Sequence, residues 1–315
     1  MKIFLTGATG FIGKNLVSHL QKHELFCLVR SREKFESIKN GNVFPVYGDI
    51  REELPELPEA DVIIHNAAVV RASSKAYYEV NTAGTAALLE KAKKLKTLKK
   101  FIFISSQAVS GPAALDKPAL EGDEPRPVSD YGKSKAIAER MVRESGLPYI
   151  ILRPAAVYGP GDRDLFVIFK MVKRGLAFIP TGERHMNFIN VKDVCAGIEK
   201  ALFSPRVNET FFLAHPEAQT QESFVEAIAE SAGKKCRLVR VPSSFLKIAG
   251  EACALLGFFT RKTALLNPQK VRELLAGHWI VNAERMLGEL DFHPSYGLKR
   301  GAALTLKWYE DNGWL

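Results

Sequence analysis

Eight residues near the start, TGATGFIG at positions 6–13, restrict the fold more than any other stretch. They follow the apolar run Lys2–Leu5 and lead into a helical pattern over Phe11–Gln21. Three glycines at a strand-to-helix junction leave a floor of bare backbone. Gly7 permits a tight turn, Gly10 lets a pyrophosphate approach the main chain, and Gly13 lets the helix pack close to the sheet. The free N–H groups of the helix start, with the helix dipole behind them, suit an anion. The turn therefore calls for a dinucleotide-binding βαβ unit, with Gly7, Thr9, Gly10, Phe11, Ile12 and Gly13 around the cofactor.

The rest of the first half agrees. Leu25–Val29, Val43–Val46, Val62–His65, Phe101–Ile104 and Tyr149–Leu152 are short apolar runs without polar alternation. Parallel strands covered on both faces have that pattern. Helical patterns at Ala76–Lys94 and Tyr131–Glu144 lie between them. This βαβα order argues for an α/β fold with a doubly wound parallel sheet, a Rossmann fold. After Arg153-Pro154, glycine and proline punctuate the chain. A strand-to-helix unit returns at Phe188–Phe203, and residues 204–315 no longer alternate cleanly. The expected division is 1–155 plus 188–203 for the cofactor domain, and 156–187 plus 204–315 for a smaller, interleaved C-terminal α/β substrate domain.

Cys27, Cys195, Cys236 and Cys253 show no metal or redox spacing. They read as reduced packing residues of a cytoplasmic protein, and no metal site is expected. The first apolar run passes straight into the glycine turn, unlike a signal peptide. No apolar run reaches the ~18 residues of a membrane span. The net charge is +9, with Lys91, Lys93, Lys94, Lys96, Lys99 and Lys100 bunched together. No nucleic-acid motif accompanies them, so the run reads as a solvated helix end and no nucleic-acid partner is expected.

The second strand ends on Val29, where an acid would accept hydrogen bonds from the ribose of NAD and repel the extra phosphate of NADP. Arg30 follows, then Arg32 and Lys34. A guanidinium there pairs with a 2′-phosphate, so NADP is the expected cofactor, with NAD as the other candidate. Further along, Tyr131 and Lys135 are four apart on a helical pattern and share a face. Free tyrosine ionises near pH ~10. A nearby ammonium and an oxidised nicotinamide favour the phenolate, which then exchanges a proton with a substrate oxygen.

Beyond these local arguments the chain resembles the extended short-chain dehydrogenase/reductases, the NAD-dependent epimerase/dehydratase family. The resemblance is carried by TGATGFIG, GDI (48–50), HNAA (65–68), NTAGTAALLEKA (81–92), FIFISSQAVSG (101–111), YGKSK (131–135), RPAAVYGPGD (153–162) and FINVKDV (188–194). It implies an enzyme with a Ser106–Tyr131–Lys135 site, Ser105 being the rival for the serine. It also implies that Asp49 and Ile50 flank the adenine, Ala67 and Ala68 flank the cofactor, and Asn81 supports it. Pro154 through Val157 should line the nicotinamide. Two copies are expected to pair through the helices at 76–94 and 131–144.

Departures from the family pattern bear on the substrate. Nucleotide-sugar members carry an asparagine where this chain has Ala156 and an arginine where it has Met186, and both engage a diphosphate. Arg163, Arg174 and Arg184 are the candidate substitutes. Ser110 replaces a tyrosine near the reacting carbonyl. The apolar stretch 245–259, flanked by Lys247 and Arg261-Lys262, falls where a substrate lid is built. It reads as a helix buried in the small domain, with a peripheral membrane contact as the minority reading. The branch most resembled is that of sterol, hydroxysteroid and dihydroflavonol reductases. The expected activity is hydride transfer between NADP and a secondary alcohol or ketone with an apolar part. The alternatives are a nucleotide-sugar epimerase or dehydratase, and a non-catalytic NADP-binding subunit.

Overall fold

Each of the six apolar runs becomes a parallel strand. The computed structural model describes residues 1–260 and 267–315, with 255–260 described by backbone alone. The strands are β1 (Lys2–Thr6), β2 (Glu24–Val29), β3 (Val43–Tyr47), β4 (Val62–His65), β5 (Lys100–Ile104) and β6 (Tyr149–Pro154), then β7 (Ala156–Tyr158), β8 (Leu176–Pro180), β9 (His185–Met186), β10 (Phe188–Asn190), β11 (Glu209–Leu213), β12 (Gln219–Thr220) and β13 (Arg237–Val241). The helices up to β7 are α1 (Phe11–His19), α2 (Arg32–Glu36), α3 (Ser74–Tyr77), α4 (Gly84–Ala92) and α5 (Asp130–Glu144). Those that follow are α6 (Phe166–Lys173), α7 (Val191–Phe203), α8 (Gln221–Ser231), α9 (Ser243–Thr260), α10 (Pro268–Leu275), α11 (Glu284–Glu289) and α12 (Leu298–Asp311).

The main sheet has the order β11-β6-β5-β4-β1-β2-β3, and every pairing in it is parallel. This is the Rossmann arrangement, and the order reverses between β1 and β4. Ligands of such sheets bind outside the carboxyl ends of the strands at that reversal. Successive residues of a strand point to opposite faces. Ile3 and Leu5 accordingly meet Leu16 and Val17 of α1 and Ile198 of α7. Phe4 and Phe101 meet Leu88 of α4 and Val142 of α5 on the other face.

Residues 209–213 were expected in the second domain, yet they form the seventh strand of the main sheet, paired with β6. The reason is burial on both faces: Phe211, Phe212 and Leu213 are fully covered. The second half of the chain otherwise makes three two-stranded sheets and a separate core. In that core Phe169 and Phe224 pack with Leu306 and Tyr309 of α12.

The lysine run is mostly exposed, as a solvated segment would be, and part of it is also paired. Lys91, Lys93 and Lys99 pair with Glu56, Glu90 and Asp61. Lys100 is buried and donates to the carbonyls of Ala201, Leu202 and Ser204, capping α7 with positive charge. The apolar stretch at 245–259 does form a helix, but its start is not buried. Phe245 is 63% and Ile248 is 68% exposed, so the buried-helix expectation fails over these turns. Its later side chains, and Arg261-Lys262, lie outside the described residues. Among the described residues no helix is long and apolar enough to cross a membrane.

Candidate active site

The glycine turn is shaped by close backbone approach. Gly7 has φ +71°, and a Cβ there would lie 2.7 Å from the backbone of Asn66 and Ala67. A Cβ on Gly13 would lie 2.1 Å from the Gly7 carbonyl oxygen. Only glycine fits either position. Gly10 caps α1 without a side-chain hydrogen bond, leaving the first N–H groups of the helix for a ligand. Thr9, Phe11 and Ile12 are half-exposed around this floor. Ala67 and Ala68 follow β4, and Pro154 and Val157 lie in β6 and β7, so the expected cofactor wall gathers at the carboxyl edge of the sheet.

A buried polar column stands behind the turn. Thr85 donates its hydroxyl proton to the Asn81 carbonyl (2.7 Å), so its oxygen accepts from His65 Nε2 (2.9 Å). His65 Nδ1 then accepts from Thr6 Oγ1 (2.7 Å), which itself accepts from the Ala67 N–H (3.0 Å). Burial drives this imidazole down to about 3, so it stays neutral. The helix predicted over 76–94 contains a π turn at Tyr78–Ala83. This local widening re-aims Asn81. Its amide clamps Val69 N and O (2.9 and 3.2 Å) and donates to Ser134 Oγ (3.0 Å).

At the adenosine end Arg30 and Arg32 are exposed, and among the described residues neither has an ion pair or a side-chain hydrogen bond. Asp49, by contrast, is engaged by Arg51, with Nη2 2.6 Å from Oδ2. Hydrogen bonds from Arg51 hold this carboxyl below the usual range, against burial. Arg51 was missed by sequence reasoning, although its place two residues after an acid is a legible signal. Ile50 is buried against Gly84, where a Cβ would meet its side chain at 2.7 Å.

The catalytic candidates converge after β5. Ser129 caps α5 by accepting from Gly132 N (3.2 Å), and a Cβ on Gly132 would meet the Ala108 carbonyl at 2.6 Å. This contact sets the first turn of α5, with half-buried Tyr131, against the turn that begins at Ser106. Ser106 Oγ accepts from Ala108 N (3.1 Å). Burial pushes the Tyr131 phenol up to about 12, and a hydrogen bond with Ser106 acts the other way. Lys135 Nζ donates to the Ile104 carbonyl (2.7 Å) and stands 4.0 Å over the Phe103 ring. Burial brings its ammonium down to about 7, opposed by the charge of Glu139. The expectation that this chain's lysine lowers the phenol's pKa is therefore not met by the residues themselves, because burial dominates both groups.

Ser105 is removed from contention by its partner. It donates to Glu139 Oε1 (2.6 Å) in a buried cluster. Arg153 binds the same carboxylate through Nε (2.9 Å) and Nη2 (2.7 Å), and Arg143 adds a further bond (2.7 Å). Burial raises the Glu139 carboxyl, but the arginine bonds outweigh it and leave it below its ordinary value. Ser110 is buried, and its Oγ accepts from Arg153 Nη1 (3.3 Å). A lone arginine inside the apolar run YIILRP was the available sign of this cluster. Two of the three candidate diphosphate substitutes are occupied locally, while Arg174 is exposed and has no side-chain hydrogen bond or ion pair among the described residues. Arg184 donates to the carbonyls of Thr181 and Gly182, and Arg163 lies over the Trp314 ring (5.4 Å).

The parallel sheet, with its glycine turn beside the reversal of strand order, is the fold of a nucleotide-binding α/β enzyme. The profile described as the NAD dependent epimerase/dehydratase family matches residues 3–213, and the chain belongs to that family. A ceramide reductase of Caulobacter vibrioides is 28% identical over 99% of this chain and 96% of its own. A UDP-glucose 4-epimerase of Vibrio cholerae is 30% identical over 84% of this chain and 86% of its own. The crystal structure of Thermotoga maritima UDP-glucose 4-epimerase with UDP-glucose has a TM-score of 0.79 at 23% identity, covering 99% of each chain. That last likeness speaks for the fold.

Proposed function

We propose that the protein is an NADP-preferring oxidoreductase acting on a secondary alcohol or ketone with an apolar part. The observation that carries this reading is the close approach of Gly132 to the Ala108 carbonyl, which packs the first turn of α5, bearing Tyr131, against the turn that begins at Ser106 after β5. The glycine turn, uncapped helix start and unpaired Arg30 fit a phosphorylated dinucleotide. When bound, the nicotinamide supplies or takes up the hydride. Tyr131 gives its proton to the substrate oxygen as a ketone is reduced, and takes it back in the reverse direction. Ser106 donates a hydrogen bond to that oxygen and stabilises its developing charge. Lys135 holds the ribose, and the nicotinamide's positive charge is what brings the phenol down from its buried value. The ceramide reductase relative supports a substrate with an apolar part.

Cofactor choice gives a direct test. Arg30→Ala is expected to weaken NADP binding by about 1.5–3 kcal/mol, the worth of a hydrogen bond to a charged group, and to leave NAD binding nearly unchanged. Fluorescence titration checks this, and equal midpoints for the two cofactors in the parent protein would contradict it.

The second reading is a nucleotide-sugar epimerase or dehydratase, favoured by the Vibrio cholerae relative. Against it, Ala156 and Met186 stand at the two diphosphate positions, and neither side chain can donate a hydrogen bond. Purification with tightly held oxidised cofactor would favour the epimerase, and free exchange the oxidoreductase. We further propose residues 156–187 and the chain beyond β11 as the substrate side, and a reducing, cytoplasmic setting from the four free cysteines. A homodimer through α4 and α5 is supported by half-buried Ala86, Ala87, Ile137 and Met141. Light scattering is expected to give twice the chain mass, and a strict monomer would refute the pairing.

A further inference from the structure

The start of α9 opens onto solvent beside an exposed sheet face. In β8 the side chains alternate: Ala177 and Ile179 join the second core, while Leu176 and Phe178 point away from it, 36% and 51% exposed. Strand β13 lies parallel to β8, with Arg237 in register with Leu176 and Val239 with Phe178. Register partners share a face, so the outer side of this two-stranded sheet carries Leu176, Phe178, Arg237 and Val239. Only Pro242 separates β13 from α9. On α9, Phe245 and Ile248 are three apart and share a side of the helix, and they are the most exposed large apolar residues among those described. Apolar side chains grouped in this way mark an interaction site, as single scattered ones do not. The chain that makes this face is also basic. Residues 165–182 hold three lysines and arginines, residues 231–250 hold five, and neither stretch holds an aspartate or glutamate. Lys173 pairs with Glu310 and Arg240 with Glu222. Arg174, Lys235, Arg237 and Lys247 are exposed and have no ion-pair partner among the described residues.

We propose that this face docks the protein peripherally on an anionic lipid bilayer. Phe245 and Ile248 enter the boundary between headgroups and acyl chains, and the cations around them meet lipid phosphates. Charge decides the occupant. A second copy presents the same cations, and a two-fold contact through this face would crowd like charges together. Nucleic acid would pair with the cations but leave Leu176 and Ile248, which cannot stack on bases, in water. An anionic bilayer satisfies both halves of the face: its negative surface draws the cations, and its apolar boundary removes the exposed side chains from water. The segments that form the face belong to the proposed substrate side, so docking would hold that side of the molecule close to the phase in which an apolar substrate dissolves. The inference stands apart from the oxidoreductase reading, because lipid binding is measured without any reaction.

Co-sedimentation of the full chain with lipid vesicles tests the proposal. One set of vesicles is phosphatidylcholine alone, and the other is phosphatidylcholine mixed equally with phosphatidylglycerol. The parent is expected to bind the mixed vesicles, and to bind the neutral ones about tenfold more weakly or worse. High salt should weaken the binding, because exposed charges are screened within about 3 Å at ~1 M. Phe245→Ser combined with Ile248→Ser should cost about 10- to 100-fold in affinity for the mixed vesicles. Lys235→Glu combined with Arg237→Glu should cost about as much on the mixed vesicles and little on the neutral ones. All four positions lie at the surface, so the thermal midpoint and NADP affinity of both double variants should match the parent. No binding to the mixed vesicles, or binding that the Phe245 and Ile248 changes leave intact, overturns the proposal. A parent that ignores vesicles but loses mass in light scattering on those two changes would give the face to a second copy. Tighter binding to duplex DNA than to the mixed vesicles would give it to nucleic acid, and either result overturns the lipid assignment while leaving the oxidoreductase reading standing.

Discussion

Tyr131→Phe is expected to bind NADP as the parent does and to turn over about two to four orders of magnitude more slowly, the range that a positioned acid–base group supplies. The substitution keeps the ring, and with it the packing against Tyr77 at 6.0 Å, but removes the proton-carrying oxygen. Its pH dependence has a definite sign. Burial pushes the phenol up to about 12, so the protonated form needed for ketone reduction is held throughout the neutral range. Alcohol oxidation needs the phenolate, and its rate should rise with pH until the phenol has ionised. With oxidised cofactor bound, that rise should be centred below the value of the residues alone. A pH–rate series in both directions checks these points. Turnover by Tyr131→Phe at the parental rate would place the proton on another group.

Glu139→Ala should have the largest effect on stability. Arg153 is 1% exposed and Glu139 is fully buried, so the variant strands a guanidinium with only Ser110 and the Glu121 carbonyl for partners. Removing one member of a buried pair costs about 3–5 kcal/mol. Urea unfolding of the two proteins measures it, and a parental midpoint would refute it. Replacing both Glu139 and Arg153 with methionine should recover much of the loss, because no charge is then left unpaired. The folded carboxyl titrates below its ordinary 4.5, so its contribution is present above that value and is lost as the pH falls through the lower folded value. The parent should therefore lose stability in acid more steeply than the Glu139→Ala variant. Ser105 loses its acceptor as well, and its neighbour Ser106 is the proposed catalytic serine. A smaller fall in turnover is therefore expected beside the loss of stability.

What the amino-acid sequence determined by itself is the part governed by short-range periodicity and backbone freedom. Short apolar runs between helical patterns suit parallel strands, which marked β1 to β6, although β3 at the sheet edge leaves Phe44 and Tyr47 exposed. Three glycines between a strand and a helix can only be a tight, close-packed turn, and Gly7 and Gly13 occupy positions no side chain can share. The four-residue step from Tyr131 to Lys135 puts both on one face of any helix. The tertiary structure alone decided what each polar group meets once water is excluded. It joined β11 to β6 across about 55 residues of sequence, because two faces there needed covering. It gave Ser105 to Glu139, Asp49 to Arg51 and Ser110 to Arg153, and so left Ser106 and Arg30 unengaged by other charged side chains. It brought Gln269 of α10 to the residue before Tyr131. Such partnerships are made between segments far apart in the chain. Their energy comes from pairing groups that burial has removed from solvent, and no local pattern records which distant segment supplies the partner.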